Sequence, residues 1–191
     1  MTDNNDVPAF ARHLVNLAAS RLGAETLSCS DDFFAPMERM LQDNDPVFIP
    51  DKFDDHGKWM DGWESRRRRG GGHDHVIVRL GTRGVIRGLD IDTRHFTGNY
   101  PPGASLEAAD APVETRPEDL QWREILGPTD LGPDSHHYLE ISDDTPARHL
   151  RLNIFPDGGV ARLRVYGEPL PDWSRMDENT PAELSAIING G

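Results

Sequence analysis

The sequence predicts an all-β fold: an antiparallel β-sandwich or jelly roll with a short N-terminal helix. Three observations carry that prediction. Helical periodicity is confined to one segment near the N-terminus, short runs rich in β-branched residues and bounded by glycine or proline follow through most of the chain, and the last two of these alternate apolar with polar residues. In the final pair, Leu150, Leu152 and Ile154 alternate with Arg151 and Asn153, while Ala161, Leu163 and Val165 alternate with Arg162 and Arg164. Each of these strands therefore presents one apolar and one polar face.

Taken in order, Phe10, Leu14, Val15, Leu17, Ala18 and Leu22 follow Pro8 at close to helical spacing and predict a helix over 9–22. Cys29 ends a short β-like run. Val76 to Leu80 stops at Gly81, and Val85 to Asp92 resumes after Gly84, so the two read as separate strands bounded by glycine. Gln121 to Leu126, His137 to Ile141, His149 to Phe155 and Val160 to Tyr166 complete the set. Pro156-Asp157-Gly158-Gly159 reads as a hairpin turn joining the last two, because proline presets the entry and glycine accepts positive φ. Proline, glycine and acidic residues mark 42–57 and 110–119 as loops. Three regions result: an extension with the helix at 1–23, the sandwich at 24–168, and an exit linker at 169–191.

Composition narrows the function. Of the 191 residues, 20 are Lys or Arg against 33 Asp or Glu, a formal charge of -13, so the averaged field repels phosphate backbones and anionic lipid. Nucleic acid and membrane surfaces are not expected partners. No apolar run approaches the roughly 18–20 residues that span a bilayer, and the N-terminus lacks the pattern of a signal peptide. A single cysteine, Cys29, forbids an internal disulfide and fits the cytoplasm. Its thiol reads as a small buried group rather than a nucleophile.

Three polar stretches stand out: Cys29-Ser30-Asp31-Asp32-Phe33-Phe34-Ala35-Pro36, then Trp59-Met60-Asp61-Gly62-Trp63-Glu64-Ser65-Arg66-Arg67, then Asp90-Ile91-Asp92-Thr93-Arg94-His95-Phe96-Thr97-Gly98-Asn99-Tyr100-Pro101-Pro102. In this order, and continued through Gly103 to Ala108 and Arg151 to Gly167, they resemble the allantoicase family. The resemblance implies a jelly roll similar to galactose-binding domains, and hydrolysis of allantoate to ureidoglycolate and urea in purine catabolism. That family carries two copies of the module in tandem, and 191 residues have room for one. Leu184 to Gly191 echoes Leu17 to Ala24, so the chain is expected to stop where a second copy would begin. Pairing with a second repeat, or a homo-oligomer, is the expected assembly. The other function class is a non-catalytic ligand-binding or structural module on the same fold.

Splitting a C–N bond of allantoate calls for a cation on its carboxylate, hydrogen-bonding groups for two ureas, and an acid/base pair. Glu64, Asp92 and His95 are the catalytic candidates: two carboxylates whose pKa values neighbours can move, and an imidazole that titrates near neutrality. Arg66 and Arg67 are candidate forks for the carboxylate, while Asp61 and Asn99 suit urea N–H and C=O groups. The alternatives are ordinary ones: an Asp61–arginine ion pair, a turn at Asn99, and a solvated loop for Arg68 and Arg69 before Gly70-Gly71-Gly72. Trp59 and Trp63 read as packing. No organic cofactor is implied. His73-Asp74-His75 and His136-His137 lack a third ligand at a recognisable spacing, and a divalent ion held by carboxylates stays open.

Overall fold

A computed structural model describes residues 7–170. In chain order its elements are helix α1 (Ala9–His13) and strands β1 (Val15–Asn16), β2 (Glu25–Cys29), β3 (Phe53–Asp54), β4 (Gly57–Lys58), β5 (Trp63–Glu64), β6 (Asp74–Asp92), β7 (Gly103–Ala109), β8 (Arg123–Asp130), β9 (His136–Glu140), β10 (Ala147–Phe155), β11 (Gly159–Val160) and β12 (Arg162–Pro169). Short 3-10 turns lie at Ser20–Leu22, Met37–Leu41 and Pro117–Asp119. No helix among these residues is long and apolar enough to cross a membrane.

The sandwich is organised by β6, which runs unbroken through both layers. Its first half pairs with β2 and β10, and β10 continues to β7 and β8; its second half pairs with β12 and β9, and β12 continues to β1. All of these pairings are antiparallel. Val76, Val78, Leu106 and Leu152 from one layer meet Leu89, Ile91, Leu163 and Val165 from the other in a common core. The expected alternation is therefore realised, and the fold is the expected all-β sandwich.

Three details differ from the sequence reading. Gly81 and Gly84 do not end strands. They allow close approach, since a Cβ at Gly81 would lie 2.4 Å from the Leu22 carbonyl oxygen and one at Gly84 would lie 2.6 Å from that of Glu168. The helix stops at His13 rather than reaching 22, because Val15 and Asn16 pair with β12 and the Leu17 amide donates to the Val165 carbonyl (2.7 Å). Pro156 to Gly159 is not a hairpin: β10 and β12 lie against different halves of β6, so the segment crosses between layers. On the way, β11 pairs with β5 and sets Gly159 opposite Glu64. Of the predicted exit linker, Pro169 closes β12, while 171–191 lie outside the described residues.

One core position makes stability depend on pH. His149 on β10 is 0% exposed and neither ring nitrogen has a hydrogen-bond partner. Burial, reinforced by the charges of Arg148 and Arg79, lowers its pKa to about 4. The unfolded chain, where histidine titrates near 6.5, therefore binds a proton that the folded chain refuses. Stability is complete above about pH 6.5 and falls as pH drops towards 4, by roughly 3 kcal/mol for this group. Denaturant midpoints at several pH values test this: His149→Leu should flatten the drop between pH 7 and 5, and an equally steep drop in the variant assigns it elsewhere.

Candidate active site

The crossover and the three polar stretches meet at one end of the sandwich. Glu64 sits there on β5, held by reciprocal backbone bonds with Ala35 (3.1 and 3.3 Å) and by the Gly159 pairing. The neighbouring Ser65 amide donates to the Gly158 carbonyl (3.1 Å), and the Gly159 amide donates to the Asn99 carbonyl (2.7 Å), bringing the third stretch alongside. The Asn99 amide nitrogen then donates to Glu64 Oε1 at 2.6 Å. Trp63 anchors the strand from beneath: it is wholly buried, and its indole N–H donates to the Asp31 carbonyl (2.8 Å).

Two cavities share Phe34, Glu64 and Asn99 as a common wall. The first, about 360 Å³, is also lined by His95, His56, Lys58 and Asp134; the second, about 470 Å³, by Ser65, Arg67, Arg68, Tyr100 and Asp157. Glu64 is 9% exposed, and burial pushes its carboxyl above the ordinary range against a smaller lowering by the Asn99 bond. His95 lies in the left-handed region (φ 71°), its amide donates to Asp134 Oδ1 (2.8 Å), and its ring stacks on Phe48 at 5.8 Å. His56 stacks in the same way on Phe33, with centroids 4.5 Å apart.

Of the residues picked from the sequence, Glu64, His95, Asn99 and Arg67 line these cavities, and three do not. Asp61 is buried under Arg162, whose Nη2 donates to its Oδ2 at 2.8 Å, so it is committed to a charge pair rather than to a ligand. Arg66 points to solvent across Phe33 and is forked onto Asp31 at 2.6–2.8 Å. Asp92 is 0% exposed beneath Arg94, which grips both its oxygens at 2.8–3.1 Å. These contacts hold its pKa below the ordinary carboxylate range against the opposing effect of burial. The reading of Arg68 as solvated also changes, since its guanidinium donates to the buried Asp74 (2.8 Å). Arg69 is exposed, and Arg67 alone of the run lines a cavity without an ion pair among the described residues. The Cys29 thiol is half-buried rather than buried, and burial together with Asp32, Asp31 and Glu38 pushes it up to about 11, which disfavours the thiolate.

Lys58, His56 and Asp134 escaped the sequence reading. A signal was present: the chain has only two lysines, Lys52 and Lys58, both in the loop that leads into Trp59. Each lies over an aromatic ring, Trp59 at 3.6 Å and Phe48 at 4.4 Å, and neither has an ion pair among the described residues.

Among the described residues, Asp90, Asp92 and His136 form a group with metal-ligand spacing. Arg164 Nη1 is already 3.4 Å from both Asp90 Oδ2 and Asp92 Oδ2, and Arg94 is forked onto Asp92. A divalent ion there would face two guanidinium charges, while Asp90 Oδ1 is buried without a hydrogen-bond partner among the described residues. His136, hydrogen-bonded to Asp90 at 2.8 Å, has its pKa raised by that bond.

Comparisons with known proteins identify the family. A family model described as "Allantoicase repeat" matches residues 15–170. A protein named "Probable allantoicase 1" from Burkholderia mallei is 54% identical over 191 residues, which is 100% of this chain and 56% of that protein. The crystal structure of allantoicase from Saccharomyces cerevisiae is similar with a TM-score of 0.73 at 34% identity, covering 82% of this chain and 49% of that one. The C-terminal domain of a Bacteroides fragilis chitobiase matches with a TM-score of 0.55 at 13% identity, covering 82% and 99%, which shows a shared jelly-roll architecture alone. The chain spans about half the length of the curated relatives it matches. With that length, and with the family model running from β1 to the end of β12, the chain belongs to the allantoicase family as one of its repeats.

Proposed function

We propose that this module takes part in hydrolysing allantoate to ureidoglycolate and urea, with Glu64 as the proton donor. The observation that carries the reading is a buried carboxyl with a raised pKa standing between two cavities that also hold the His95 imidazole, the Asn99 amide and two cations, Lys58 and Arg67, with no carboxylate partner among the described residues. As the C–N bond breaks, the Glu64 proton passes to the departing urea nitrogen. Water supplies the new hydroxyl on the α-carbon, and its proton passes to His95. Asn99 keeps Glu64 in place and offers its carbonyl to a ureido N–H. Arg67 takes the substrate carboxylate through two parallel bonds. Asp92 and Asp61 act at one remove, by holding Arg94 and Arg162. The partner we assign to the module is a second repeat of the same kind, and the single unbridged Cys29 fits a cytoplasmic setting.

Urea release from allantoate tests the reading, measured on this chain alone and joined to a second repeat. No urea in either form sinks it, and allantoate binding without urea makes the module a binding domain. Within the assay, Arg67→Lys keeps the charge and loses the fork, so kcat/KM should fall by about ten-fold or more. Arg66→Lys, whose partner is Asp31, should change it little. Equal small effects at 66 and 67 remove Arg67 from the site.

A further inference from the structure

We propose that residues 44–47 form a strap that fixes the tautomer and orientation of His95, making Asp45 and Arg94 positioning residues for that imidazole. The proposal rests on the cavity shared by Glu64 and His95 being the reacting site. His95 Nε2 lies 3.2 Å from the Pro46 carbonyl oxygen. A carbonyl only accepts, so Nε2 carries the hydrogen, and in the neutral ring the lone pair is then on Nδ1. No described residue bonds Nδ1, which leaves it free to accept a proton from a bound molecule.

The Pro46 carbonyl serves this purpose because the chain on both sides of it is tied down. Arg162 Nε donates to the Asn44 carbonyl (2.8 Å), Arg94 Nη2 and Arg164 Nη2 donate to Asp45 Oδ1 (2.8 and 3.2 Å), and the Val47 amide donates to Asp61 Oδ2 (2.9 Å). Proline has no N–H of its own to compete for a partner. Arg94 is in turn immobilised by the buried Asp92, and Phe48, the next residue along, stacks on the His95 ring. Two residues that the sequence singles out as candidate ligands, Asp61 and Asp92, thereby act on the site at one remove: Asp61 by accepting from the Val47 amide, Asp92 by holding Arg94.

The test is an NMR measurement on the 191-residue chain with nitrogen-labelled imidazoles, at a pH where His95 is neutral. The native chain should show His95 as the Nε2–H tautomer, with a protected Hε2 proton signal. Asp45 is mostly exposed, so Asp45→Ala spares the core, yet it should abolish that signal, and Asp45→Glu should restore it in part. Asp144→Ala, which removes another mostly exposed carboxylate, paired with Arg87, should leave it intact. Asp45→Ala should also lower kcat for urea release at least ten-fold with KM changed less than two-fold, the pattern of a misaligned base. An Nδ1–H tautomer in the native chain, or an unchanged Hε2 signal in Asp45→Ala, overturns the proposal. Absence of urea release from the native protein overturns the proposed reaction instead, and the imidazole signals still decide the strap.

Discussion

Asp61→Ala is expected to lower the unfolding free energy by about 3–5 kcal/mol, because it strands a guanidinium in the interior. Arg162 is 0% exposed, and its donors go to Asp61 Oδ2 (2.8 Å), the Asp61 carbonyl (3.0 Å), the Ala161 carbonyl (2.7 Å) and the Asn44 carbonyl (2.8 Å). Only the first of these partners carries a formal charge. Removing it leaves the cation desolvated with nothing but dipoles around it, and the Val47 amide loses its acceptor as well. For a chain of this length the corresponding fall in Tm is roughly 10 °C. Replacing both partners by apolar groups, Asp61→Leu with Arg162→Met, should recover a large part of the loss, since no buried charge then remains. Thermal unfolding of the single and double variants checks this. A loss below about 1 kcal/mol for Asp61→Ala would mean that water reaches Arg162 and that the pair is not sealed.

What the sequence disclosed about the site depended on whether a residue's task is set by its own neighbours or by distant ones. Glu64 and Asn99 belong to separate stretches, and nothing in their spacing announces that they meet. His95 and Asp92 are three residues apart, yet one lines a cavity and the other is 0% exposed, because β6 ends at Asp92 and the chain then turns out of the sheet. A carboxylate on the polar face of a strand normally meets water. Here Arg94, Arg164 and the strap cover that face, and nothing local to Asp90-Ile91-Asp92 announces the cover. The same holds for Arg162: its alternation with Leu163 marks it as outward-facing, and the segments around Asn44 and Asp61, whose path the sequence left open, close over it. In the fold, apolar alternation identified β10 and β12 because it is a local property. It could not reveal that they pair with different halves of β6, because register between strands far apart in sequence is fixed by the core and not by the turn between them.

Glu64→Gln should separate catalysis from architecture more cleanly than any other change. Glutamine keeps the size of the side chain and an oxygen for the Asn99 amide, and it removes the proton that the proposed mechanism transfers. Loss of a positioned general acid costs about 10²–10⁴-fold in rate, so kcat should fall by that order with KM little altered. The pH dependence follows from the raised pKa. In the native protein the raised pKa keeps the acid form above the ordinary carboxylate range, so activity is expected to decline as pH rises through it, whereas the variant should show no such decline. Asn99→Ala removes the bond that lowers this pKa and should move the decline to higher pH. Stability runs the other way. A group whose folded pKa lies above its unfolded value contributes fully below the unfolded pKa, and that contribution is lost as pH rises through the folded one. Glu64→Gln, which never ionises, should therefore make the protein more stable than the native chain above that pH while making it far less active. A variant that is weaker in both respects would identify Glu64 as a packing carboxyl, and one that keeps native turnover would remove it from the reaction.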